Sequence, residues 1–223
     1  MLRSFLLTLL LISSLVSARA QSKWARGNMR DNKPVGVWEY YDDFEGMELG
    51  LRFNHDSSRM LFVKPDTSRY FVLVNKNWQI NRLTRAPRLI GSRVAIASAF
   101  QRKLRYPYQD LRARREGSVV LSCIVDEQGK VGLPTVAAAP SQTLAQEALR
   151  AVDQLPLYYI PGEFAGQRAQ TKVFFVVRFC ILFFENERER QAEAQPKLHE
   201  QAQLVPMPPG SFNEVIVTAF GSR

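Results

Sequence analysis

An α+β fold is predicted for this 223-residue chain: an N-terminal antiparallel β-meander, then a three-stranded antiparallel sheet packed with helices. Three observations lead there. Between Trp24 and Ile90, strand-like runs recur about every ten residues and each stops at a short polar turn, which is the spacing of an antiparallel meander. At residue 92 the apolar period changes from two to that of a helix. From 117 onward the order is strand, tight turn, helix and one long final strand. Apolar residues make up 46% of the chain and aromatics 11%, enough to bury a core and to exclude wholesale disorder.

In order, the strand runs of the meander are 36–41, 49–53, 59–63, 69–74 and 78–80. Asp42-Asp43, Asn54-His55-Asp56 and Asn75-Lys76-Asn77 are turn composition. Period-two counting puts Val37 and Tyr41 on one face, opposite Leu49, Leu51 and Phe53. Ser92 caps a helix over 92–104, whose apolar positions are Ile96, Ala97, Phe100 and Leu104. Residues 117–125 place Val119, Leu121, Cys123 and Val125 on one face. Asp126-Glu127-Gln128-Gly129 is a hairpin turn with its glycine set for positive φ. The return at 131–136 contains Gly132 and Pro134 and is a weak or edge strand. Thr143 and Gln146 read as a capping box, and Leu144, Ala148, Val152 and Leu155 as the buried stripe of a helix that Pro156 and Pro161-Gly162 end. In the final strand, 171–183, Val173, Phe175, Val177, Phe179 and Ile181 point inward.

The first twenty residues read as an export signal. Arg3 gives a basic start, residues 4–17 are an apolar run, and Ala18-Arg19-Ala20 is a small-x-small cleavage site before Gln21. A membrane anchor needs about 20 apolar residues, and this run meets Arg19 before that length. A cleaved signal peptide and a periplasmic mature chain starting near Gln21 are therefore expected. Loss of Arg3 and Arg19 lowers the formal charge from +9 to +7. The expected units are 1–20 signal peptide, 21–91 β-rich segment, 92–184 α+β domain, and 185–223 linker and tail.

The central segment carries a pattern of many positions in order: Tyr106-Pro107, Gly117-x-Val119-x-Leu121-x-Cys123-x-Val125-Asp126-x-x-Gly129, Leu144-Ala145-x-x-Ala148-Leu149, Pro161-Gly162, Gly166, and Val173-x-Phe175-x-Val177-x-Phe179. Over 106–184 it resembles the C-terminal domain of TonB-type energy transducers. Two positions and one short stretch depart from the family. Asp110 stands where Ala is usual, Cys123 where the first strand usually has an aromatic, and Arg112-Ala113-Arg114-Arg115 is more basic than the usual stretch. The transducers also carry an uncleaved anchor and a Pro-rich spacer where this chain has a β-rich segment. Within that segment, 31–42 resembles one unit of the MORN-type hairpin repeats, with Gly36 and Trp38 in place but Asn32 where the repeat has its first Gly.

The resemblance implies a periplasmic module that binds outer-membrane TonB-dependent receptor segments by strand addition, with Tyr106, Pro107, Phe174, Val176 and Arg178 as candidate partner-binding residues. An ExbB–ExbD-type motor enters only if the N-terminus is retained as an anchor. An envelope scaffold with no energy-transducing role is the alternative. Residues 213–221 in turn resemble the TonB box, the receptor segment such domains bind. The tail residues Glu214, Val215, Ile216 and Val217 are therefore expected to pair with the domain's own final strand, or with a neighbour's.

Other chemistries find little support. With two Cys, two His and no CxxC spacing, a four-ligand zinc site is not indicated, and no glycine-rich phosphate loop occurs. No cofactor or metal is expected, and no enzymatic activity. His55-Asp56-Ser57-Ser58 brings catalytic residue types together, but adjacency is not a triad and the composition is that of a turn. Ten Arg and Lys against Asp110 lie between 79 and 115. In an exported protein that excess suits an anionic membrane face, an acidic partner or plain solvation, and no nucleic acid is expected. Cys123 faces inward and Cys180 outward on the same sheet, so no disulfide is expected between them.

Overall fold

The computed structural model describes residues 18–184, 207–211 and 215–222. The apolar run of the expected signal peptide and the candidate Glu214 lie outside them. Five antiparallel strands form the N-terminal sheet in sequence order: β1 Ala18–Ser22, β2 Ala25–Arg30, β3 Lys33–Tyr41, β4 Leu49–Asn54 and β5 Arg59–Val63. Asp31 and Asn32 join β2 to β3 with φ of 49° and 59°. Both residues take the left-handed conformation of a two-residue hairpin, which Asn and Asp tolerate. The buried face carries Trp38, Tyr40, Leu51 and Phe53. Val37 is instead 46% exposed, which corrects the expected face. Trp38 and Tyr40 bury more apolar area than Val37 and take the inner side. A register shift between Tyr40 and Tyr41 then lets Tyr41 be buried as well.

The next two strands leave this meander. β6 Arg69–Val74 and β7 Asn77–Arg82 form a hairpin that joins the C-terminal sheet. β8 Arg88–Leu89 leads to α1 Arg93–Lys103 and α2 Tyr108–Arg112, followed by β9 Gly117–Val125, β10 Thr135–Ala138 and α3 Gln142–Val152. β11 Tyr159–Ile160 pairs with β8, and β12 Gly162–Phe164 with β13 Gln167–Ala169. β14 Thr171–Phe184 and β15 Val215–Ser222 complete the chain. The large sheet runs β10-β9-β14-β6-β7, with β15 also on β14. The expected three-stranded antiparallel core is thus β10-β9-β14, enlarged on its far side. Among the described residues no helix is long and apolar enough to cross a membrane.

The helices cover one face of this sheet. Val119, Leu121, Cys123 and Val125 of β9 and Val173, Phe175, Val177 and Phe179 of β14 meet Phe100 of α1 and Leu144, Ala148, Ala151 and Val152 of α3 in one core. Ser92 caps α1 by accepting from the Ala95 N–H at 3.2 Å. Ser141, not Thr143, caps α3, accepting from the Leu144 N–H at 3.1 Å. Thr143 is drawn off because its hydroxyl donates to Asp110. Gly129 has φ of 84°, and a Cβ there would come within 1.9 Å of the Tyr159 carbonyl oxygen, so the β9 turn and β11 pack closely only with glycine.

Four of the ten basic side chains between 79 and 115 have acidic partners. Arg85 pairs with Glu163 at 2.5 Å, Arg88 with Asp42 at 3.1 Å, Arg93 with Asp66 at 3.5 Å and Arg115 with Asp110 at 2.8 Å. The Arg93 N–H also donates to Asp42 at 2.9 Å, and the Ser92 hydroxyl donates to the Tyr41 carbonyl. Asp42 at the end of β3 therefore holds the start of α1. Arg88 and Arg93 thus tie the chain before β6 to the start of α1, where largely buried pairs are less screened than surface ones.

Neither cysteine is in a disulfide, and both are buried. Cys123 faces the helices and Cys180 the opposite side, as the period demands, but Cys180 is only 3% exposed rather than open to solvent. The second face of β14 is buried with it, at Phe174, Val176, Arg178 and Leu182. Burial pushes the Cys123 thiol up to about 12, leaving almost no thiolate at neutral pH. Thiol labelling of the native protein is expected to be slow at both positions and to reach both in denaturant. Fast native labelling of one cysteine, or protection of both after unfolding without reductant, contradicts this arrangement.

Candidate functional site

The site grows from one strand. β14 is 14 residues long, and its alternating Val and Phe suit a pleated, doubly covered position. On one side it pairs antiparallel with β9 from Thr171↔Val125 to Phe179↔Gly117. Its other side, where strand addition is expected, is occupied along most of its length. β6 pairs at Thr171↔Val72 and Lys172↔Phe71, extended by the Leu73 N–H donating to the Gln170 carbonyl at 2.9 Å. Next the Phe174 N–H donates to the Gly210 carbonyl at 3.2 Å, and Ser211 bridges in parallel to Phe174. From Val177↔Val215 to Phe184↔Ser222 the tail strand β15 runs parallel to β14.

Two side chains anchor the tail. Val215 is 4% and Val217 8% exposed, and both belong to the core that contains Phe100, Val177 and Phe179. Ile216 between them is less buried, and its carbonyl accepts from Gln101 Nε2 of α1 at 2.9 Å. The helix therefore holds the strand's backbone between its two anchors. At the re-entry point Gly210 has φ of 80°, and a Cβ there would lie 2.7 Å from the Tyr70 ring and 2.9 Å from the Lys172 carbonyl oxygen. Pro208-Pro209-Gly210 is a strong turn signal, and only glycine passes this gap.

The sequence candidates fall into two groups. Val215, Ile216 and Val217 sit opposite Val177, Arg178 and Phe179, so the tail and the middle of β14 do come together. Phe174, Val176 and Arg178 are all buried; the Phe174 ring lies 5.7 Å from Phe71 of β6. Tyr106 and Pro107 are not on the edge. Pro107 sits at the N-cap of α2. The Tyr106 hydroxyl donates to the Arg115 carbonyl at 2.7 Å, and its ring stands edge-on to Phe179 at 5.4 Å. Tyr106 therefore reaches the tail only through Phe179, the partner of Val217. Burial raises the Tyr106 hydroxyl above its ordinary range, as do the nearby negative groups, so it stays a neutral donor.

Sequence reasoning found the β6–β7 hairpin but placed it in the meander rather than beside β14, and it missed Gln101. Lys172 lays its ammonium over Trp78 at 4.5 Å and Phe71 at 5.8 Å. That cation–π stack fastens the hairpin to β14. Gln101 carries no pattern signal, since a polar residue on an exposed helix face is ordinary.

The turn with catalytic residue types holds no triad. Asn54 Oδ1 accepts from the Asp56 and Ser57 N–H groups at 3.0 and 3.2 Å, as in a side-chain-closed turn. His55 Nε2 lies 2.7 Å from the Tyr40 hydroxyl, edge-on to Phe53 at 5.1 Å. Burial lowers the His55 pKa, with Asp56 opposing. Among the described residues no group of three or more His, Cys, Asp or Glu could hold a metal.

The sequence model of the family described as Gram-negative bacterial TonB protein C-terminal matches residues 102–181, from the end of α1 into β14. Comparisons with curated proteins and with solved structures found no match.

Proposed function

We propose that the chain, whose residues 102–181 match the TonB C-terminal family model, is a periplasmic protein-binding module that takes up extended segments of outer-membrane receptors by strand addition on β14. Support comes from one observation: the C-terminal half of the β14 edge already accepts a parallel strand, Val215–Ser222, which overlaps the 213–221 segment that resembles such a receptor segment. Main-chain hydrogen bonds along the strand supply affinity and alternate side-chain pockets supply selectivity. The family is one of transducer and interaction domains rather than of enzymes.

Export with loss of the first twenty residues is part of this proposal. Scission after Ala20 trims β1 and leaves β2 as the outer strand of the meander. Coupling to an ExbB–ExbD-type motor belongs to a form that keeps its N-terminal apolar run in the membrane, and the intact mass of the exported protein decides between the two forms. A second reading, an envelope scaffold without an energy-transducing role, is favoured by the filling of the edge by β6 and β15.

The test is titration of the purified chain with peptides from receptor coupling segments, followed by amide exchange. Receptor binding predicts saturable affinity that changes protection within 177–184. A scaffold predicts no peptide binding, with β14 protection unchanged throughout.

A further inference from the structure

The two halves of the β14 edge are closed in different ways. The first half is held by a hairpin that is continuous with the fold. β6 is backed by β7 along six residue pairs, by the Phe71–Phe174 ring contact and by the Lys172 stack on Trp78. The second half is closed by one strand at the end of the chain, separated from β14 by residues 185–214. Its described attachments are the backbone ladder, two buried valines and one bond from Gln101. Val215–Ser222 contains no charge and no proline, the devices by which edge strands avoid pairing, so this strand is built to pair.

We propose that the tail is a displaceable cis ligand: it closes the receptor-binding half of β14 and is exchanged for an incoming segment of the same kind. The proposal rests on the strand-addition reading above and adds the identity of the competitor and the chemistry of the segment that replaces it. That segment runs parallel to β14, as β15 does. It presents two aliphatic residues two positions apart, filling the sites of Val215 and Val217 in the core with Phe100 and Phe179. The residue between them turns its carbonyl to Gln101. A charged residue at either anchor has no partner in that apolar core and is rejected.

Competition follows from connectivity. A ligand on the same chain acts at an effective concentration on the order of millimolar, so a free segment of equal intrinsic affinity binds the closed protein far more weakly than the open one. Opening the edge requires withdrawal of Val215 and Val217 from the core, and the incoming segment restores the same burial. The closed state also shields an uncharged, β-prone segment that is an aggregation hazard when loose.

The probe is a fluorescent peptide of residues 213–222 of this chain, titrated against the full chain, a chain lacking 212–223, and full-length Val217→Asp. The truncated chain keeps Gly210 and Ser211, and so the contact at Phe174. Expected is binding to the truncated chain at least about tenfold tighter than to the full chain, with V217D behaving like the truncation. A peptide bearing the same Val217→Asp change should not bind, and Gln101→Ala in the truncated chain should weaken binding severalfold. Equal affinity for full and truncated chains overturns the proposal, as does a folded truncated chain that does not bind. Should the truncation not fold, V217D decides alone, and a folded V217D chain without affinity overturns the proposal. Failure of the function reading looks different. Tail peptide binding with no receptor segment binding sinks receptor recognition and leaves cis closure standing. Receptor binding to the full chain with amide protection of 215–222 unchanged sinks cis closure alone.

Discussion

Phe175→Ala is expected to cause the largest loss of stability of any single truncation in β14. Phe175 is 1% exposed and lies opposite Leu121 of β9. Its ring stands edge-on to Phe100 of α1 at 6.1 Å, so it joins the sheet to the helix that also holds the tail. Truncation removes the transfer energy of a whole ring and leaves a cavity whose walls are strand and helix backbones that collapse poorly, about 3–5 kcal/mol. For a protein of this size that lowers Tm by roughly 10 °C. Phe175→Leu keeps most of the volume and is expected to cost less than about 1.5 kcal/mol. Because Phe100, Val215 and Val217 share the same core, the Ala variant should also lower amide protection of β15 more than that of β7. Thermal unfolding of both variants and exchange on the Ala variant test this. A loss below about 1 kcal/mol, or β15 protection unchanged, means Phe175 is not the link described.

The parts of this fold legible in the sequence are those where one local period decides the outcome. The alternation in β9 and β14 and the stripe Leu144, Ala148, Val152 each follow from one buried face, and all point inward as counted. β15 was legible for a different reason, the likeness of 213–221 to a strand that such domains bind. What stayed hidden depends on distant partners. Phe71 and Val72 alternate in the same way whether their hairpin closes the meander or extends another sheet, and Lys172 with Trp78 settles which. Arg85, Arg88 and Arg93 look like one basic run until Glu163, Asp42 and Asp66 arrive from elsewhere in the chain. β2 escaped notice because Ala25–Arg30 mixes Arg and Asn with small residues. α2 escaped because five residues are too few to show a period. At the edge itself, the anchors Val215 and Val217 were candidates from the start, whereas Gln101 is recognisable only from its bond to Ile216.

Asp110→Ala is the second large effect expected, because the buried carboxylate is a structural requirement. The Asp110 carboxylate has no exposed surface. One oxygen accepts from Arg115 Nη1 at 2.8 Å and the other from the Thr143 hydroxyl. Thr143 in turn lies 3.1 Å from the Ser141 hydroxyl that caps α3. Asp110 thus ties α2, the basic stretch after it and the start of α3 together, beside a helix N-terminus that favours negative charge. Burial by itself raises the Asp110 pKa, but hydrogen bonds from Thr143, Ser141 and Arg115, with the Arg115 charge, outweigh it and hold the carboxyl below its ordinary 3.8. Removing the carboxylate breaks charge-assisted bonds in a dry site. Arg115, whose side chain is 47% exposed, returns to water, so the expected loss is about 3 kcal/mol at pH 7 rather than the larger figure for a stranded buried charge. The sign with pH follows from the depressed folded pKa. The ionised carboxylate stabilises the fold fully above the unfolded-state value and progressively less as pH falls through the folded one. Chemical denaturation of the wild type and D110A should therefore show a gap that is constant from pH 7 to about pH 5 and narrows below the ordinary carboxylate range. D110N keeps the shape without the charge, so the wild type should approach it at the acid end of the series. A gap that stays the same from pH 7 down to pH 2, or one absent at pH 7, is incompatible with an ionised Asp110 at this junction.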